Sequence, residues 1–198
     1  MRLQSSARTL LILGLTLGAA TAASAQGAMK SDPPMAEGTT MVGGQAMFRS
    51  RDIVDNAVNS ADHTTLVAAV KAAGLVETLK GGGPFTVFAP TNAAFDLLPD
   101  GTVSTLLQPE HKAELTKVLT YHVVSGRYDA AALMKAIKHG HGRASLTTVQ
   151  GEPLTLRMNG DRNIVVGDAK GGVADISTYD VVQSNGVIHV VDKVLLPS

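Results

Sequence analysis

The dipeptide Asn185-Gly186 lies between two runs of β-forming residues, Tyr179-Asp180-Val181-Val182-Gln183 and Val187-Ile188-His189-Val190-Val191. This arrangement constrains the chain more than any other local feature. Asn-Gly between alternating apolar residues is the strongest short-range hairpin signal, because a type I′ turn requires positive φ at both central positions. The expectation is an antiparallel hairpin near the end of the chain, with Asn185 and Gly186 in left-handed backbone. Residues 154–158 and 163–166 flank a second such signal, Asn159-Gly160, and residues 173–176 read as a further short strand.

The first half of the chain reads differently. Ile53, Val54, Ala57 and Val58 keep the spacing of one helix face, as do Leu66, Val67 and Val70. Thr64 is expected to cap the second of these helices and Gly74 to stop it. A third begins at Leu75. Gly81-Gly82-Gly83-Pro84 lacks the Lys-Ser/Thr ending of a phosphate-binding loop and reads as a turn. Residues 85–89 form a strand closed by Pro90, after which Thr91-Asn92 offers an N-cap. A helix near Pro109 carries Leu115, Val118, Leu119 and then His122 on one stripe. Asp129 can cap another, with Leu133, Met134 and Ile137 facing inward. Helices early and strands late argue for one α+β domain with a mainly antiparallel sheet.

The N-terminus carries the features of an export signal. Arg2 and Arg8 precede the apolar run at residues 10–17, and Ala23-Ser24-Ala25 has the small-x-small form of a cleavage site. The expected organisation is a signal peptide over 1–25, a flexible leader over 26–47 and a domain over 48–198. Cleavage at Ala25-Gln26 would deliver the mature chain to the periplasm or beyond. The apolar run is too short for a membrane span, which needs about 20 residues. Loss of Arg2 and Arg8 leaves 15 basic residues against 17 acidic ones. With no basic excess to neutralise phosphates, nucleic acid is a poor partner. Cysteine is absent, which excludes disulfides, thiolate metal sites and a cysteine nucleophile. An exported domain without disulfides must rest on an apolar core, here expected to be aliphatic because tryptophan is absent and aromatics make up only 4%.

Three blocks resemble a known family. Residues 85–95, Phe-Thr-Val-Phe-Ala-Pro-Thr-Asn-Ala-Ala-Phe, are similar to the first signature of the fasciclin domain. Tyr121-His122 is similar to its central Tyr-His pair, and residues 184–197 resemble its closing block. The resemblance implies a compact β-wedge flanked by helices, with Thr91, Asn92, His122, Asn185, Gly186 and His189 as its structural signature. It also implies adhesion or extracellular binding, with no catalytic residues and no cofactor. In animal relatives receptor recognition has been tied to the Tyr-His region and to an Asp-Ile pair. The positions here are Tyr121-His122 and Asp180-Val181, which makes these four the expected partner-binding residues.

The remaining chemistry is sparse. His139-Gly140-His141 reads as a solvated loop beside Lys138 and Arg143. His111 and Glu114 lie one helical turn apart on a surface helix, so no metal site is assigned. The four Met residues at positions 29, 35, 41 and 47 fall in the leader. Thioether sulfur suits soft metals, but a tail that merely carries Met explains them. His122 and His189 sit on apolar faces, where each imidazole must be hydrogen-bonded if buried. Catalytic motifs such as G-x-S-x-G and H-E-x-x-H are absent. The expected function is a monomeric, non-enzymatic module that recognises an extracellular or cell-surface protein or glycan. The alternative is a carrier of an apolar small molecule, a lipid or carotenoid, in a groove between helices and sheet.

Overall fold

The computed structural model describes residues 39–198. The expected signal peptide and the leader as far as residue 38, with Met29 and Met35, lie outside the described residues.

The described chain opens on a hairpin of two three-residue strands, β1 (Thr40–Val42) and β2 (Gln45–Met47). Gly43 and Gly44 make its turn at φ 56 and 71, backbone that glycine adopts without penalty. Val42 and Met47 are buried in the main apolar cluster. The leader expected over 26–47 is therefore corrected from residue 40 onward. Each strand contributes one inward apolar side chain, too short an alternation to register as a pattern.

Helices follow. Asp52 caps α1 (Ile53–Ala57), its carboxylate accepting the Asp55 N–H at 2.7 Å. A 3-10 turn, Ala61–His63, leads into α2 (Thr64–Ala73), which stops at Gly74 in left-handed backbone, φ 74. Thr64 is the first helical residue and not the expected cap. The short α3 (Val76–Lys80) precedes β3 (Phe85–Pro90), and Thr91 caps α4 (Asn92–Asp96). Next come α5 (Thr102–Leu106), a 3-10 turn at Pro109–His111, α6 (Lys112–Tyr121) and the short β4 (Val123–Ser125). Asp129 caps α7 (Ala130–His139), whose Leu133 and Ile137 are buried while Met134 remains 38% exposed, contrary to its expected inward position.

The rest is sheet: β5 (Arg143–Thr147), β6 (Pro153–Asn159), β7 (Asn163–Gly167), β8 (Val173–Gln183) and β9 (Gly186–Val191). The seven-stranded order is β4-β3-β9-β8-β7-β6-β5. Neighbours run antiparallel except β3 and β9, which pair in parallel from Phe85↔Gly186 to Pro90↔Val191. These two central strands are covered on both faces. Val87, Ala89, Ile188 and Val190 join the cluster under α1, α2 and α6, while Phe88 and Val191 join a second cluster with Leu133 and Ile137 of α7. Burial on both faces is why β9 reads as a nearly continuous apolar run.

The closing hairpin forms, but not with the expected turn. Gln183 pairs with Gly186, so Ser184 and Asn185 are the two loop residues. None of residues 184–186 has positive φ, which excludes type I′. Asn185 serves instead through its side chain: Oδ1 accepts the Ile53 N–H at 3.0 Å, and Nδ2 donates to the Leu79 carbonyl at 2.7 Å. It fastens the start of α1 and the end of α3 to the hairpin tip. Asn92 acts in the same way. Its Oδ1 accepts from the Thr65 N–H at 3.0 Å and the Thr64 hydroxyl at 3.2 Å, and its Nδ2 donates to the Ala61 carbonyl at 2.8 Å. Asn92→Ala leaves the first turn of α2 without its acceptor. The expected cost is about 2 kcal/mol, read as a lowered midpoint in urea with an unchanged slope.

Candidate functional site

Tyr121 ends α6 and His122 follows it, and both are interior, at 0% and 2% exposure. The Tyr121 hydroxyl donates to the Pro153 carbonyl at 3.0 Å and accepts from the Ala169 N–H at 2.9 Å. It ties α6 to two β-side connections, and burial raises its pKa above the ordinary tyrosine value. His122 Nδ1 faces the Val118 carbonyl at 2.8 Å, and Nε2 accepts the Leu195 N–H at 2.9 Å. Only the tautomer with hydrogen on Nδ1 satisfies both contacts. Burial pushes its pKa down to about 4, the Val118 carbonyl opposing. His122 is thus a satisfied core residue, as its apolar stripe implied. It anchors the segment after β9 rather than the sheet itself.

The second expected locus is built on an irregularity. The β8–β9 register shifts between Ile176 and Thr178 and again between Thr178 and Val181. Within this bulge Asp180 takes φ 56, a left-handed position that Asp and Asn tolerate better than other side chains. Its carboxylate accepts the Ala130 N–H at 2.7 Å, while Asp129 accepts the Ala132 N–H at 2.7 Å. Two carboxylates therefore meet the first turn of α7, where the helix dipole favours negative charge. The Asp180 N–H points to His189 Nδ1 at 3.4 Å, and His189 Nε2 donates to the Tyr128 carbonyl at 2.8 Å. His189 is fully buried between Phe88 and Tyr179, and burial lowers its pKa. Val181 is 1% exposed and faces the helix-side core.

Of the four expected partner-binding residues, only Asp180 reaches the surface, and only in part. Tyr121, His122 and Val181 are enclosed, so they shape the wedge and leave contact to their neighbours. Around Asp180 those neighbours are exposed Arg127 and Asp129 with half-buried Tyr128 and Tyr179. Arg127 donates to the Gln183 carbonyl at 3.1 Å, which holds its guanidinium along this edge. The sequence did not single out Arg127, Tyr128 or Asp129 for recognition. The signal available was their position between two family blocks, just after β4.

On the surface, His111 Nδ1 and the Glu114 carboxylate lie 3.4 Å apart. No cluster of three metal-ligating side chains occurs among the described residues, and none of their helices is long and apolar enough to cross a membrane.

Comparison with known proteins agrees with this architecture. The sequence model for the fasciclin domain matches residues 61–197. Protein sll1483 of Synechocystis sp. is 42% identical over 186 residues, covering 94% of this chain and 92% of that protein. Immunogenic protein MPB70 of Mycobacterium bovis is 35% identical, covering 71% of this chain and 66% of that one. Human periostin is 30% identical over 69% of this chain, which matches only 15% of periostin's length. Among solved structures, a FAS1 domain pair from the insect cell adhesion molecule Fasciclin I superimposes with a TM-score of 0.65. It shares 19% identity, and the match covers 74% of this chain and 51% of that one.

Proposed function

The chain belongs to the fasciclin domain family, and from that membership we propose that it is an extracytoplasmic, non-enzymatic binding module for a cell-surface or extracellular protein or glycan. The observation that carries this reading is the construction around Asp180. A non-glycine residue in left-handed backbone persists only where its surroundings over-determine it, and such positions gather at recognition and catalytic sites. Here the carboxylate is fixed on α7 and the backbone is fixed in a bulge. The result is a rigid polar edge with an arginine, two carboxylates and two half-buried tyrosines. Rigid tyrosine and arginine surfaces suit macromolecular recognition, because little conformational entropy is lost when a partner docks.

Tyr121, His122 and Val181 support the same reading from inside, by fixing the elements that carry this edge. The test uses mature protein immobilised on a sensor and exposed to intact cells or surface extract of the source organism. Arg127→Glu reverses one exposed charge, and Asp129→Asn removes another while keeping a side chain that can cap α7. Each is expected to lower retained binding at least tenfold while Tm stays within a few degrees. Undiminished capture by both variants would move the surface elsewhere on the domain. Failure of the parent protein to retain any macromolecule would end the adhesion reading.

A further inference from the structure

The sheet carries a like-charge pair that its folding does not require. Arg143 of β5 and Arg157 of β6 stand directly opposite each other in the antiparallel register, which places their Cβ atoms about 5 Å apart. Both are exposed on the outer face, because Leu146, Leu154 and Leu156 turn the other way into the core beneath α7. Like charges facing each other across strands are destabilising. Among the described residues no carboxylate forms an ion pair with either arginine. Asp175 shares their row beyond Val165, two strands from Arg157 and so about 10 Å away. It accepts instead from Asn159 Nδ2 at 3.2 Å. Between residues 135 and 157, Lys135, Lys138, Arg143 and Arg157 are set against a single acid, Glu152, which accepts the Ser198 N–H at 2.8 Å.

Structural needs account for only part of this charge. β5 ends the sheet, and a charged side chain guards such an edge against pairing with other chains. That explains Arg143 but not Arg157, since β6 is paired on both sides. The helix dipole explains Lys138 and His139 in the last turn of α7, but no pair on strands. The turn that joins α7 to β5 is also strained. His141 takes φ 54, left-handed backbone that persists in a non-glycine residue only where its surroundings fix it. A Cβ on Gly140 would run into the Arg143 carbonyl oxygen, and the Arg143 N–H donates to the Gly140 carbonyl at 3.3 Å. This compact turn sets Arg143 firmly at the start of β5.

Beside the arginines, Ser145 stands opposite Thr155 on the same face. The strip is cationic and hydroxyl-lined. These four side chains include no aromatic ring on which a base could stack, and no large apolar group to anchor a protein or enter a bilayer. Guanidinium forks match oxyanions through paired hydrogen bonds. We propose that the outer face of β5 and β6 binds an acidic polysaccharide, its carboxylate or sulfate groups held by Arg143 and Arg157 and its hydroxyls by Ser145 and Thr155. Asp180 meets the first turn of α7, whereas this strip follows the helix's far end, about 15 Å along it. The two surfaces therefore stand or fall separately.

The test titrates the mature chain against immobilised polygalacturonate and immobilised heparin, with neutral dextran as the blank. The parent protein is expected to bind at least one acidic polymer, more weakly as salt rises. Arg143→Ser combined with Arg157→Ser should lower that affinity at least tenfold, while Tm holds or rises because a like-charge pair is relieved. Lys71→Ser combined with Lys112→Ser removes the same charge from α2 and α6 and should bind as the parent does, as should Arg127→Glu. Binding to polygalacturonate alone assigns the strip to carboxylates, and binding to heparin alone assigns it to sulfates. The proposal is overturned if the parent protein binds neither polymer, if both double variants lose affinity alike, or if the arginine double variant binds undiminished. Binding to phosphatidylserine vesicles but to neither polymer would overturn it in favour of a lipid surface.

Discussion

Gly186→Val is expected to prevent the domain from folding stably, with a loss of about 3 kcal/mol or more. The cause is crowding, not dihedral strain. Gly186 begins β9 with ordinary extended backbone and pairs directly with Phe85 of β3. A Cβ built there would run into the Phe85 carbonyl oxygen and lie 2.8 Å from Ile53 Cδ1. The first obstacle is backbone at the centre of the sheet, so it cannot rotate away. The second is the residue whose N–H Asn185 holds. Relief requires separating β3 from β9, the only parallel pair in the sheet. Gly186→Ala should already be severe, since Cβ alone makes the clash. Urea titration of Gly186→Ala beside Gly160→Ala separates the two causes: Gly160 has φ 73 and open space around it, so its cost is conformational and about 1 kcal/mol. Equal, mild losses at both sites would refute the crowding argument.

Acid is expected to unfold the domain through its buried histidines. The unfolded chain protonates His122 near pH 6.5, whereas the folded chain resists protonation down to about pH 4. Between those values the unfolded state binds more protons, so stability falls as pH falls. Above about pH 6.5 the full stability is present. At about 1.4 kcal/mol per pH unit, His122 alone accounts for about 3 kcal/mol lost by pH 4. Burial lowers the pKa of His63 and His189 too, so both add in the same direction. Protonation would also remove the Nε2 lone pair that accepts the Leu195 N–H, freeing the C-terminal segment. Unfolding free energy measured from pH 7.5 to 4.5 should therefore drop steeply below 6.5. His122→Gln, though less stable at neutral pH, should show a slope shallower by about one proton. A flat profile across this range would contradict the closed environment assigned to His122.

The architecture was readable where several weak signals agreed, and the reasons for individual residues were less so. Thr91 and Asp129 announced their helices by position and hydroxyl or carboxylate chemistry, and both cap as expected. Asn185-Gly186 marked a real hairpin for a reason the local motif does not contain. Its geometry is dictated by a carbonyl in β3 and by α1 and α3, all far away in sequence. The strands expected at 173–176 and 179–183 are one element, β8, because register shifts between Ile176 and Val181 absorb the interruption at residues 177–178. β4 and the hairpin at 40–47 were too short for any period to show. The four recognition residues implied by family likeness illustrate the same limit. A motif records which residues accompany a function, and three of these four act from the interior. Their burial follows from contacts that bring α6, β8 and the C-terminal segment together, which no local pattern specifies.

The parallel pairing of β3 with β9 also sets a schedule. Phe85 and Gly186 stand side by side although about 100 residues separate them, and the Leu195 N–H, beyond β9, reaches back to His122. Until those last residues are available, β3 has only the three-residue β4 as a sheet neighbour, and Phe88, Val87 and Ala89 lack one wall of their surroundings. A chain emerging from its N-terminus therefore leaves this edge of β3 open until residues 186–191 have followed. β9 then joins the two halves of the sheet by entering between β3 and β8. A chain interrupted before residue 186 would lack the strand that joins the β3–β4 pair to the β8–β5 side of the sheet, and protease sensitivity of such a chain would show it.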